Sequence, residues 1–150
     1  MNSNNDNDAV TVMVVDDDTI DRMAIHRSFK KLRLINPIIE ASDGIDALDH
    51  LRGLNGHKKP TVPLVILLDL NMPRMGGIEF LEEIRNDPEL KPLLIFVLTT
   101  SKAQADRIRA YAKNIAGYVL KQAAGHSFLE SIEALSRYWH TIELPDPVRH

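Results

Sequence analysis

Residues 64–77 read LVILLDLNMPRMGG. Leu64–Leu68 is a strand-length aliphatic run with no polar residue, the pattern of a parallel strand covered on both faces. Asp69 closes the run, and Asn71, Pro73 and Gly76-Gly77 follow as turn residues. Working outward, similar runs occur at Val10–Val15, Pro37–Ala41, Leu93–Leu98 and Gly117–Leu120. Between them apolar residues recur at helical spacing: Ala24, Ile25, Phe29 and Leu32; Ile45, Leu48 and Leu51; Ile78, Leu81 and Ile84; Ala105, Ile108 and Ala112. The clearest stripe is Phe128, Ile132, Leu135 and Trp139. Five strands, each followed by a helix, predict an α/β fold, a doubly wound parallel sheet with five helices and right-handed crossovers.

The composition narrows the function classes. The chain has 150 residues, 44% of them hydrophobic, enough for one domain with a real core. With no cysteine, thiolate nucleophiles, disulfides and Cys-ligated metals are excluded. A formal charge of −3 offers no general attraction to nucleic acid or to an anionic membrane. No apolar run reaches membrane-spanning length and the Asn/Asp-rich start lacks a signal-peptide pattern, so a cytoplasmic location is expected. Residues 1–8 are expected to be a disordered tail and 9–139 the domain. Residues 140–150 should form an extended arm carrying Ile142, Leu144 and Val148, with the last helix ending just before it.

In sheets of this kind ligands bind beyond the carboxyl ends of the strands. There the chain places Asp16-Asp17-Asp18, Asp69, Thr99-Thr100-Ser101 and Lys121. Carboxylates on neighbouring strands, about 5 Å apart, repel by roughly 3 kcal/mol at an effective dielectric near 20. A cation or a proton must relieve them. Oxygen-only donors favour magnesium, manganese or calcium. With Lys121 and the Thr99 hydroxyl on the same pocket, the set describes phosphoryl transfer to a carboxylate nucleophile. Taken singly, Asp18 is a helix cap, Asp69 a turn residue, Thr99 strand filler and Lys121 a surface lysine; together they are harder to explain as structure.

VVDDD at Val14–Asp18, LLDLNMPRMGG at Leu67–Gly77, LTTS at Leu98–Ser101 and GYVLK at Gly117–Lys121 resemble the receiver domains of two-component response regulators. The resemblance implies a flavodoxin-like sheet of order 2-1-3-4-5. It also implies that Asp69 accepts a phosphoryl group from a histidine kinase or a histidine phosphotransfer protein, with Mg2+ as cofactor. Asp17 would ligate the metal through its side chain, Asn71 through its backbone carbonyl and Asp16 through a water, with Asp69 as a further ligand. Thr99 and Lys121 would contact the acyl phosphate, and Tyr118 would be the switch aromatic. Such a protein is a phosphoacceptor switch, with at most self-phosphorylation and slow autodephosphorylation, and not an enzyme acting on other molecules. The family usually has proline after the lysine. Here Gln122 follows, so either a trans bond with an altered loop or a retained cis bond is expected.

FKKLRLINPIIEASDGIDALDHLRG and FLESIEALSRYW resemble the single-domain regulators paired with bacterial and cyanobacterial phytochromes. This implies a phytochrome-type kinase as partner and a homodimer, formed through the arm or through the face of helix four, strand five and helix five. Output is expected through protein contacts. A haloacid-dehalogenase-type phosphatase would want an acid where Asn71 stands, and a flavodoxin would not carry three aspartates at its phosphate loop. A non-phosphorylated docking module is a third alternative. The six histidines show no metal-ligand pairing on one helix face, and Ser101 has no partnered base for a hydrolase triad.

Overall fold

The computed structural model of the chain describes residues 10–122 and 127–141. In chain order the elements are β1 (Thr11–Val15), α1 (Thr19–Lys31), β2 (Ile38–Ala41), α2 (Gly44–Arg52), β3 (Leu64–Leu68), α3 (Gly77–Asn86), β4 (Leu94–Thr99), α4 (Gln104–Tyr111), β5 (Gly117–Leu120) and α5 (Phe128–Thr141). All strand pairs are parallel, in the order β2-β1-β3-β4-β5. This is the doubly wound parallel sheet that the sequence pattern predicts, in the flavodoxin-like order that the receiver-domain resemblance implies.

Side chains alternate across the sheet because the strand period is two. Met13, Val15, Ile66, Leu68, Ile95 and Val97 face one layer, where Ala47, Leu48 and Leu51 of α2 and Phe80, Leu81 and Ile84 of α3 close the core. Val12, Val14, Val65, Leu67, Phe96 and Leu98 face the other, against Ile25 and Phe29 of α1 and Ile132, Leu135 and Trp139 of α5. Burying a side chain such as Phe80, Leu81 or Ile84 contributes about 1.5–3 kcal/mol. Trp139 is fully buried. Its indole N–H reaches the Asn36 side-chain carbonyl, and the Asn36 amide donates to the Val10 carbonyl.

Three expectations are corrected. The stripe Ala105, Ile108 and Ala112 does not face the core. All three are exposed, and Ala110 is the buried residue of α4. Small apolar residues at several angles leave the buried side of a short helix undecided, and packing on β5 and α3 decides it. Second, α5 runs past Trp139 to Thr141. His140 and Thr141 bond the carbonyls of Ser136 and Arg137, and Pro145 restricts only its immediate predecessor, Leu144. Third, β4 begins at Leu94 and includes Thr99. The expected tail (1–8) and the arm residues Ile142, Leu144 and Val148 lie outside the described residues.

Candidate functional site

Strand register assembles the site. Val15 is level with Leu68, and Leu68 with Val97, so the residues that leave these strands emerge together. The ladder continues one residue further: Asp69 N–H donates to Val15 O at 2.9 Å and Asp16 N–H to Ala41 O at 3.0 Å. On the other side Thr99 is level with Leu120, and Lys121 N–H donates to Thr99 O at 2.8 Å. Gly77 lets α3 start tightly over the end of β3, since a Cβ there would sit 2.7 Å from Asp69 O. Asp18 caps α1, accepting from the N–H groups of Ile20 and Asp21.

Asp16, Asp69, Thr99 and Lys121 are all buried, whereas Asp17 is exposed. Carboxylate oxygens of Asp16, Asp17 and Asp69 lie within 4.8 Å of one another. Lys121 Nζ donates to Asp16 Oδ2 at 2.7 Å and to Asp21 Oδ2 at 2.6 Å, and stands 3.6 Å from Asp69 Oδ2. Asp69 accepts from Leu70 N–H at 2.9 Å, and the Asn71 N–H and the Thr99 hydroxyl stand near it and favour its ionised form. Thr99 Oγ1 accepts from Ser101 N–H at 3.2 Å. Tyr118 is half-buried, and its hydroxyl donates to Ser101 O at 2.9 Å while Arg107 lies over its ring.

Burial raises the pKa of Asp69 above the ordinary 3.8, against the lowering by Lys121 and the Thr99 hydroxyl. Asp16 is raised for the same reason: burial outweighs its hydrogen bond with Lys121 and the repulsion from Asp69 adds to it. Burial by itself would lower Lys121, but the hydrogen bonds to Asp16 and Asp21 and the charge of Asp69 win, so the ammonium is held charged. One fixed cation faces Asp16, Asp21 and Asp69, with Asp17 at the rim. The site is short of positive charge, and the donors available to supply it are all oxygens. Hard divalent cations fit such a set.

The sequence-derived residues Asp16, Asp17, Asp69, Thr99 and Lys121 thus converge, with the Asn71 backbone beside the Asp69 carboxylate. Asp21 was missed. Its signal was present: once Asp18 is the cap, Asp21 lies in the first turn of α1, one turn on from Asp17. Arg22 was missed too; it bonds the Asp16 carbonyl and pairs with Glu40 at 2.7 Å. Among the described residues the only cis peptide precedes Pro63, so the Lys121–Gln122 bond is trans. Away from this site, Asp46 and His50 share a face of α2 and His57 stacks on His50. Only Asp46 and His50 share the helix and His57 comes from the loop after it, so a pairing of histidines on one helix face does not reveal the group.

An acid pair on adjacent strand ends, a buried lysine and a strand-end threonine are the arrangement of a receiver domain, and the chain belongs to the response regulator receiver domain family, which it matches over residues 12–133. Such domains are switches of two-component signalling that bind divalent metal and interact with histidine kinases. The chain is 32% identical over 132 residues to the probable methanogenesis regulatory protein FilR2 of Methanothrix harundinacea, covering 88% of this chain and 84% of that protein. It is 28% identical to response regulator Rcp1 of Synechocystis, covering 95% of this chain and 98% of the other. A Mn(2+)-bound structure of Rcp1 matches at TM-score 0.79, 28% identity, over 92% of this chain and 99% of that one. The phosphorylated cyanobacterial phytochrome response regulator RcpA matches at TM-score 0.83, 28% identity, with coverage of 92% and 99%. Stand-alone phytochrome response regulators are therefore close relatives. Among the described residues no helix is long and apolar enough to cross a membrane.

Proposed function

We propose that the chain is a single-domain response regulator whose Asp69 accepts a phosphoryl group from a histidine kinase or phosphotransfer protein in a Mg2+-dependent reaction. The observation that carries this reading is the convergence of Asp69, Thr99 and Lys121 beside Asp16 and Asp17 at the carboxyl end of the sheet. An Asp69 carboxylate oxygen attacks phosphorus, the P–N bond to the donor histidine breaks, and the imidazole leaves with that electron pair. Lys121, 3.6 Å from Asp69, swings from Asp16 and Asp21 to a phosphoryl oxygen. The Thr99 hydroxyl donates to another. Asp16, Asp17, Asp69 and the Asn71 carbonyl would hold Mg2+, which would supply charge neutralisation of the transferring group. Ile20 and Met23, 70% and 51% exposed on α1, offer an apolar patch near Asp17 for the donor's docking.

A hydrogen-bonded path supports the switch. Asp69 contacts Thr99, Thr99 accepts from Ser101 N–H, and Ser101 O accepts from Tyr118, while Ser101 Oγ donates to Asp106 of α4 at 2.6 Å. Movement of Thr99 towards an acyl phosphate pulls on both Tyr118 and α4, biasing a two-state element. Ile108 and Tyr111, exposed on α4, and Tyr138, exposed on α5, favour a homodimer or target contact on the α4–β5–α5 face; the arm is the other candidate. Likeness to RcpA makes a phytochrome-type kinase the favoured partner.

Asp69→Asn tests the reading. The variant is expected to fold and to accept no acid-labile phosphate from a phosphorylated kinase or from acetyl phosphate. Undiminished transfer overturns the assignment. For the dimer, Ile108→Asp should lower the mass measured in solution, and an unchanged dimer mass removes the α4 face as its contact.

A further inference from the structure

The second concentration of ligating side chains lies outside the carboxylate site, on the solvent side of α2. Asp46 and His50 are one helical turn apart, and the loop after α2 returns His57 to the same place. Asp46 Oδ1 is 3.8 Å from His50 Nε2 and 3.5 Å from His57 Nε2. The two imidazole rings lie 3.7 Å apart at 27°. All three ligating atoms fall within 4.8 Å of one another. Good hydrogen bonds are shorter than these contacts. A tetrahedral zinc ion with Zn–N and Zn–O bonds near 2.1 Å would instead separate its ligand atoms by about 3.4 Å.

Each ligand is also held from behind. The other Asp46 oxygen, Oδ2, accepts from Ser42 N–H at 2.9 Å and from the Ser42 hydroxyl at 3.4 Å. The Glu40 backbone stands close enough to His50 to favour a proton on one ring nitrogen, and in the neutral ring the other nitrogen then carries a lone pair. His57 is placed by a turn in which its N–H donates to Leu54 O at 3.0 Å, between Gly53 and Gly56 at φ 68° and 85°. All three side chains are partly buried. Two imidazoles within van der Waals reach repel each other if both are charged, and neither Nε2 stands at a good hydrogen-bond distance from Asp46 Oδ1. A shared cation would engage all three.

We propose that Asp46, His50 and His57 form a second metal site, taking a borderline transition cation of the Zn2+ class with open positions left to water or an outside ligand. Two imidazole donors select against Mg2+ and Ca2+, which prefer oxygen, so the site discriminates chemically from the carboxylate cluster. Occupation ties the loop 53–63 to α2 and makes the fold's stability respond to zinc. The site does not depend on whether Asp69 is phosphorylated.

The test adds Zn2+ to the full chain in excess Mg2+, with histidine ring resonances followed by NMR and bound zinc by equilibrium dialysis. The expected result is that the rings of His50 and His57 shift together, and that His57→Gln, on an exposed loop, loses both the shift of His50 and one equivalent of zinc. His50→Gln should do the same to His57. A zinc-dependent rise in melting temperature should be present in the wild-type chain and absent from either variant. Unmoved His50 and His57 resonances, movement of only one of them, or zinc uptake by His57→Gln equal to that of the wild type overturns the site.

Discussion

Asp16 and Asp69 differ from Glu40 and Asp43 in how the fold treats their charge. The first two leave β1 and β3 into a buried pocket, where burial raises their pKa values despite Lys121. The second two follow or belong to β2 at the sheet edge; Glu40 is exposed and Asp43 is as buried as Asp69, yet in both pairing prevails over burial. Glu40 is lowered by His26 and Arg22, and Asp43 by Arg74 and the Asp46 N–H. The edge carboxylates add stability by being ionised. Asp16 and Asp69 cost stability by being ionised, a cost that fits the proposed phosphoryl-transfer role, which needs a dry, cation-hungry carboxylate.

Lys121→Ala is the hardest blow to this contrast. It leaves Asp16, Asp21 and Asp69 with no ammonium beside them, and breaking a buried pair in this way costs about 3–5 kcal/mol. Denaturant unfolding should show that loss at low divalent ion, partly recovered when Mg2+ is added. A loss below about 1 kcal/mol, the range of exposed pairs, would place the lysine among surface ion pairs and remove the distinction.

Asp69→Asn should act in the opposite direction. The folded pKa of Asp69 lies above its ordinary value of 3.8, so its cost is absent below the unfolded pKa and sets in as pH rises through the folded one. The variant should therefore be more stable than the wild-type chain at neutral pH, by on the order of 1 kcal/mol. The difference should fade in acid. Thermal unfolding in chelator across the pH range checks this, and a variant equal to or weaker than wild type at neutral pH breaks it.

Glu40→Gln should have the smallest effect, under ~1 kcal/mol at neutral pH because the pair is exposed. The folded pKa of Glu40 lies below 4.5. Its contribution is present above the unfolded value and is lost as pH falls through the folded value, so the variant should lose part of the acid limb of the stability curve. An acid limb unchanged from wild type would detach Glu40 from Arg22 and His26.

Legibility from sequence followed the range of the physics. The aliphatic runs and the α5 stripe read correctly because burial on both sheet faces leaves no freedom in residue type: Val65, Leu67, Ile132, Leu135 and Trp139 all lie in the core. The α4 stripe read wrongly because an eight-residue helix with alanines on several sides carries too little moment to choose its inner face. Asp16, Asp69, Thr99 and Lys121 were legible because strand ends are shared positions in a parallel sheet. Asp21 was legible through the Asp18 cap but was passed by; Arg22 and the Asp46–His50–His57 group were not legible, since each depends on contacts or a loop return that no local pattern specifies.

The sequence by itself determined the order of elements, the parallel sheet and the identity of the acidic, hydroxyl and lysine groups at its carboxyl end. These follow from periodicity and from the residue types that such chemistry requires. Only the tertiary structure decided that Lys121 rests on Asp16 and Asp21 rather than on Asp69, and that Ile108 faces outward. It also decided that His57 closes over His50 and Asp46. Each of these is a choice among contacts between residues far apart in the chain or turned by a loop, fixed by register and packing once the sheet has formed.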